Sequence, residues 1–196
     1  AKFHTALEST CRFDRRPGSR QVLTPENPIV FTGVRISVEK GTLADSYFMD
    51  QSEAIARFLT QHDMCDVRCR ENPMSDAADL FSDSEPVSAE VASWCKSVIG
   101  CLHFFVRASR WDISHSVSRV SQFNCNPTMG TVKALRVIAG YLKGSIDFRV
   151  GGTRLLNVDD HFSIFTDSDH HGDKLMTSKS QTGVIVLLKG VPVHWR

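Results

Sequence analysis

Apolar positions along this chain change their period several times, and the changes divide it into elements. Residues 1–11 place Phe3, Ala6, Leu7 and Cys11 on one side, the spacing of a short helix. Pro17-Gly18 and Pro25-Glu26-Asn27-Pro28 are turn signals. Val30, Thr32, Val34, Ile36 and Val38 recur at every second residue, which predicts a strand between Ile29 and Val38. Lys40-Gly41 turns it and Ser46-Tyr47-Phe48-Met49 returns, so a hairpin is expected. Asp50 is placed to cap a helix over 51–63, whose apolar face carries Ile55, Phe58 and Leu59. Residues 66–86 contain Pro73 and Pro86 with little periodicity and read as a long surface loop or linker.

Three further helices follow at spacings of three and four. Ser88 caps a helix 89–108 with Val91, Trp94, Cys95, Val98, Leu102 and Phe105 on one face. Asp112 is placed to cap 113–123, with Ile113, Val117 and Val120 inward. Asn126-Pro127-Thr128 opens a helix to Lys143, with Val132, Leu135, Ile138 and Leu142 inward and Gly144 as the expected C′ stop. Amphipathic helices joined this closely make a small bundle. After Gly151-Gly152 the period returns to two: Phe162, Ile164 and Thr166 alternate with Ser163, Phe165 and Asp167. Residues 183–189 form an apolar strand and Gly190 turns into Val191–Trp195. The fold class is α+β: a β-hairpin and a helical bundle, then three strands of an incomplete antiparallel sheet.

Composition narrows the setting. A chain of 196 residues fits one domain or slightly more. At 41% apolar and 23% charged it has the balance of a soluble globular protein. No apolar run approaches the roughly 20 residues a membrane span needs, so no membrane partner is expected. The first residues carry no signal-peptide pattern, and Ala rather than Met at position 1 leads to the expectation of a longer parent chain. The net charge of +1 is low for a dedicated nucleic-acid-binding domain. Local clusters remain: Arg12, Arg15, Arg16 and Arg20 are basic, while Asp76, Asp79, Asp83, Glu85 and Glu90 are acidic, and both sets also suit plain solvated surfaces. Six cysteines, at 11, 65, 69, 95, 101 and 125, lack a second pair or matched His at zinc-site spacing. They read as reduced thiols, which favours an intracellular setting, in cytoplasm or nucleus.

The candidate chemistry lies in Asp167-Ser168-Asp169-His170-His171-Gly172-Asp173. Asp167 and Asp169 share one face of a strand. Paired carboxylates of this kind hold Mg²⁺, and two-metal phosphodiester cleavage uses such ligands. A charged strand end running into a turn has the same appearance. His170 and His171 are either metal or base groups or a solvated polar loop. Arg107, Arg110, Trp111 and Arg119 gather near one helix junction, where guanidinium and indole groups can pack on a nucleic-acid backbone. They equally suit a helix-end cation set with Trp111 plugging the bundle.

Ser97-Val98-Ile99-Gly100-Cys101-Leu102, Arg110-Trp111-Asp112-Ile113, Val117 to Phe123, Asn126-Pro127-Thr128, Ala134-Leu135 and Tyr141-Leu142-Lys143-Gly144 resemble, in order, the segment between reverse transcriptase and ribonuclease H in copia-type retrotransposon Pol polyproteins. Thr166-Asp167-Ser168-Asp169 with Gly172-Asp173, then Lys179-Ser180, Thr182-Gly183 and Pro192-Val193-His194-Trp195, are similar to the first strands of that family's ribonuclease H. Phe31 to Ile36 is similar to the hairpin supporting the primer end, and Asp50-Gln51 to Met64 with Pro73-Met74 to the thumb helix and its linker. Thr32 departs from the family's usual Leu, and His170-His171 from a Trp and a small residue.

The resemblance implies four parts: a palm-end hairpin and first thumb helix (1–64), a linker (65–87), a thumb and connection bundle (88–150) and a truncated ribonuclease H start (151–196). It implies that the parent copies RNA into DNA, degrades the RNA strand, and meets primer–template or RNA–DNA hybrid. It carries over Asp167 as a catalytic ligand, with Asp169 beside it on the metal, and Mg²⁺ as cofactor of the complete parent. The family's Tyr-x-Asp-Asp motif belongs upstream of Lys2, and the remaining catalytic carboxylates belong after Arg196. The chain alone is therefore expected to be inactive. A different class of reading is a domesticated stand-alone module that binds a partner without catalysis. Self-association through the open sheet is expected in either case.

Overall fold

The computed structural model describes residues 21–42, 44–74, 85–153, 162–169, 181–188 and 190–196. The expected helix 1–11, the Pro17-Gly18 turn, the basic cluster from Arg12 to Arg20, Asp76, Asp79, Asp83, His170, His171, Asp173 and Lys179 lie outside the described residues.

The first sheet is antiparallel, in the order β1 (Ile29–Phe31), β2 (Val34–Glu39), β3 (Ser46–Asp50), β4 (Val150–Thr153). The single strand expected over 29–38 is two strands. Phe31 lies opposite Val34, and the two residues between them, Thr32 and Gly33, have φ of 48° and 82°. Positive φ at both central positions is the two-residue hairpin whose twist matches its strands. A turn of two residues does not interrupt a period of two, so the alternation ran on unbroken in the sequence. The turn nevertheless reverses the chain: Val30 pairs with Arg35, which leaves Val30 on the opposite face from Val34. The β2–β3 hairpin is as expected, with Val38 opposite Tyr47. β4 then returns to β3 after the helices, pairing Met49 with Val150.

Between β3 and β4 the chain builds α1 (Ser52–Gln61), α2 (Ala89–Ala108), a 3-10 turn (Trp111–Ile113), α3 (Ser114–Ser121) and α4 (Met129–Gly144). One core joins all four helices: Ile55, Phe58 and Leu59 meet Val98, Leu102 and Phe105, then Val117, Val120, Leu135, Ile138 and Leu142. The bundle expected from three helices thus has α1 as its fourth member. Ser88 caps α2 as expected, accepting from the Val91 amide at 3.3 Å. Thr128 and Thr131 form a reciprocal capping box on α4.

Three end positions differ from expectation. Gln51 is the N-cap of α1; Asp50 sits one residue earlier and still accepts from the Ser52 amide and hydroxyl, while Arg35 Nε donates to its other oxygen at 2.9 Å. Asp112 caps nothing, because its carboxylate is taken by Arg110 and Tyr141. Gly144 is the last helical residue rather than the stop, and Ser145 follows as C-cap.

By length and mean hydropathy α2 is long and apolar enough to cross a bilayer, contrary to the reading that no run is. It is the central helix of the bundle, burying Cys95, Val98, Ile99, Leu102 and Phe105 while Glu90, Lys96 and Arg107 stand exposed. The stretch after α1 lies on α4: Met64 is buried, Lys143 Nζ donates to the carbonyls of Cys65 and Val67, and the Arg70 amide donates to the Gly140 carbonyl.

The second sheet is β5 (Phe162–Asp169), β6 (Gln181–Leu188) and β7 (Val191–Trp195), antiparallel and open, as expected. Gly190 (φ 82°) sits in the tight β6–β7 turn. A bulge between Val186 and Leu187 shifts the register of β7. Trp195 Nε1 donates to the Val106 carbonyl at 2.7 Å and ties this sheet to the end of α2.

Candidate functional site

The junction after α2 divides the four nucleic-acid candidates into two pairs. Arg110 is 0% exposed. Its Nε donates to both oxygens of Asp112, its Nη2 to Asp112 at 2.8 Å and to Ser145 Oγ at 2.6 Å, and its Nη1 to the Ser145 carbonyl at 3.1 Å. The guanidinium also lies over the rings of Tyr141 and Phe148. A cation buried in this way has no surface to offer a phosphate. Its role is internal, locking the 3-10 turn to the end of α4. Arg119 is buried too, and engaged. Arg107, on the last turn of α2, is exposed, and Trp111 is half-buried at the protein surface.

Trp111 and Asp167 meet across the junction of the two parts. A cleft of about 240 Å³ is lined by Trp111 and Ser114 from the bundle and by Phe165, Asp167, Ile185 and Trp195 from the second sheet, among others. The alternation of β5 places Phe165 and Asp167 on one face, and their register partners Ile185 and Gly183 share it. Gly183, opposite Asp167, leaves that side of the carboxylate without a neighbouring side chain. A second cleft of about 340 Å³ adjoins the first and shares Ser114, Trp195 and Arg196 with it; Arg107 and His194 also line it. The indole Nε1 of Trp111 is buried and has no hydrogen-bond partner.

The sequence therefore pointed to two separate sets, a carboxylate strand and a basic aromatic junction, which the fold makes neighbours. It did not assign roles to Ser114, His194, Trp195 or Arg196. The Pro192–Trp195 run was visible, but its docking on Val106 was not, because that contact joins residues 89 positions apart.

As for a metal, Asp167 is exposed, and among the described residues no three His, Cys, Asp or Glu side chains converge. Mg²⁺ demands six oxygens in near-octahedral order. One carboxylate with water does not supply a resident site. The described side chains alone are too few to hold the ion.

A Cys–His pair sits elsewhere, with Cys101 Sγ 3.7 Å from His62 Nε2. Burial pushes the Cys101 thiol up and the His62 imidazole down. Both shifts favour the neutral forms, so the pair is packing against Trp94 and Phe58 rather than an activated nucleophile. All five described cysteines are free.

No family model matches the chain. No solved structure matches it. Among curated proteins it is similar to the retrovirus-related Pol polyprotein from transposon TNT 1-94 of Nicotiana tabacum, 27% identical over 156 residues, which cover 76% of this chain and 11% of that protein. It is similar to the retrovirus-related Pol polyprotein from transposon RE1 of Arabidopsis thaliana, 27% identical over 164 residues, 82% of this chain and 11% of that protein. A putative transposon Ty5-1 protein of Saccharomyces cerevisiae is 26% identical over 145 residues, 72% of this chain and 44% of that protein. The chain thus spans about a tenth of the length of the two plant polyproteins. Some three quarters of the chain is thus similar to one segment of the Pol polyproteins of plant retrotransposons and to a putative yeast transposon protein.

Proposed function

We propose that this segment comes from the reverse transcriptase and ribonuclease H portion of such a polyprotein. The first sheet and bundle stand for the end of the palm, the thumb and the connection; the second sheet stands for the start of ribonuclease H. The observation that carries this reading is the shared cleft of Trp111 and Asp167, which puts a carboxylate strand beside an aromatic and cationic helix junction. Nucleic acid in the parent, as primer–template or RNA–DNA hybrid, would run past Arg107 and Trp111 toward Asp167. In the complete parent, Asp167 and Asp169 would be among the carboxylates available to a divalent ion such as Mg²⁺. Free thiols support a reducing, intracellular setting.

The isolated chain should neither extend a primed RNA template nor cleave an RNA–DNA hybrid in Mg²⁺, because among the described residues no three metal-ligating side chains converge where two-metal chemistry needs several. Cleavage that survives repurification and is lost in Asp167→Asn would overturn this. Binding to the hybrid should be weak, with a shallow slope of log affinity against log salt, since the net charge is only +1 and few cations gather at the clefts.

A second reading, a partner-binding module, is favoured by one observation. Phe162 and Ile164 are 62% and 65% exposed on one face of β5, and Leu188, opposite Phe162, is exposed as well. Such a patch invites association. Sedimentation should show concentration-dependent oligomers that Ile164→Lys reduces; a monomer at all concentrations would count against self-association.

A further inference from the structure

The two adjoining clefts differ in chemistry, and the difference is that between the two ends of a nucleotide. The smaller has aromatic side chains from Trp111, Phe165 and Trp195 around one carboxylate. At about 240 Å³ it falls below the roughly 300–1,000 Å³ of clefts that enclose drug-sized ligands, and so suits one planar ring system. The larger carries Arg107, His194 and Arg196. Their shared wall means that one ligand can enter both. Aromatic faces stack on any base, and cations beside them take the backbone.

Polar groups in the smaller cleft narrow the choice further. Trp111 Nε1 is buried, so what Trp111 offers the cleft is ring surface rather than a donor. Asp167 is an acceptor needing a donor. A base with an exocyclic amino group supplies that donor; cytosine, adenine and guanine have one, whereas thymine and uracil lack it. We infer that these clefts form a binding site for one unpaired nucleotide of a single strand, with an amino-bearing base against Trp111 and Asp167 and its phosphate against Arg107 and Arg196. The site rests on the reading of the segment as a nucleic-acid-contacting one, and adds to it an unpaired base and a base preference.

The test uses the whole chain and end-labelled six-nucleotide strands of oligo(dC) and oligo(dT), read by fluorescence anisotropy, with an RNA–DNA hybrid as a third probe. Oligo(dC) should bind several-fold tighter than oligo(dT). Trp111→Ala should weaken both roughly tenfold through lost stacking. Asp167→Ala, which removes the acceptor, should narrow the ratio of oligo(dC) to oligo(dT) affinity toward one. Trp111→Phe guards against a folding defect: it keeps a stacking ring, and should bind oligo(dT) nearly as well as the parent. In NMR spectra the Trp111 indole proton should move with oligo(dC) and stay put with inorganic phosphate. Equal affinity for dC and dT, or unchanged binding in Trp111→Ala, overturns the site. If the hybrid binds while single strands do not, the site is wrong and the broader functional reading stands; if no nucleic acid binds, both fall.

Discussion

Asp112→Asn should destabilise the protein by about 3–5 kcal/mol, because it strands a fully buried guanidinium without its counter-charge. Asp112 accepts from Arg110 Nε and Nη2 and from Tyr141 Oη at 2.8 Å, so the single change disturbs the 3-10 turn and α4 together. Arg110→Met should cost less. It removes the charge that needs compensation and leaves a stem-sized apolar side chain beside Phe148, while Asp112 keeps its Tyr141 partner and partial contact with water. Adding Arg110→Met to Asp112→Asn should therefore recover part of the loss. Arg110→Lys should fail to substitute, since an ammonium cannot reach Asp112 and both Ser145 oxygens from one planar fork. Urea unfolding of the four variants decides the matter. Strict additivity of the two single changes would mean that the ion pair contributes nothing by its geometry.

Gly140→Ala and Gly100→Ala should shift stability in opposite directions. Helix propensity favours both changes by about 1 kcal/mol, as both glycines lie inside helices. A Cβ on Gly100 meets nothing within contact range, so that variant should gain about 0.5–1 kcal/mol. A Cβ on Gly140 would collide with the Arg68 carbonyl oxygen, which is backbone and cannot swing aside. The stretch from Cys65 to Arg70 is held there by Lys143 Nζ and by the Arg70 amide, and the collision would pry it off α4. A net loss of about 2 kcal/mol or more is expected, the overpacking cost exceeding the propensity gain. Equal stabilisation of both variants by urea denaturation would show that this stretch is not seated on α4 as described.

These two glycines show where sequence reasoning reaches its end. Spacings of three and four located α2, α3 and α4 and most of their inward residues, because local periodicity is written directly by which side must leave water. Ser88 as a cap and the three C-terminal strands were legible for the same reason: each depends on residues a few positions apart. Gly100 and Gly140 look alike in the sequence, and only the arrival of a distant backbone segment separates them. Periodicity hid the Thr32-Gly33 turn, because an even insertion leaves a period of two intact, although the resemblance put a hairpin over Phe31 to Ile36. Arg110 and Arg107 likewise read as equal cations at one junction; burial against Ser145 and Phe148 sent one inside and left the other at the surface. Asp167 was singled out by its spacing from Asp169, yet its company of Trp111, Phe165 and Trp195 depends on how β5 to β7 dock beside the bundle, through Trp195 and the Val106 carbonyl. The sequence by itself determined the elements and the chemistry each could carry, since those follow from short-range pattern. Which chemistry is buried, which is exposed and which pieces share a cleft was decided by long-range packing, where the free energy of one residue depends on neighbours that no local spacing reveals.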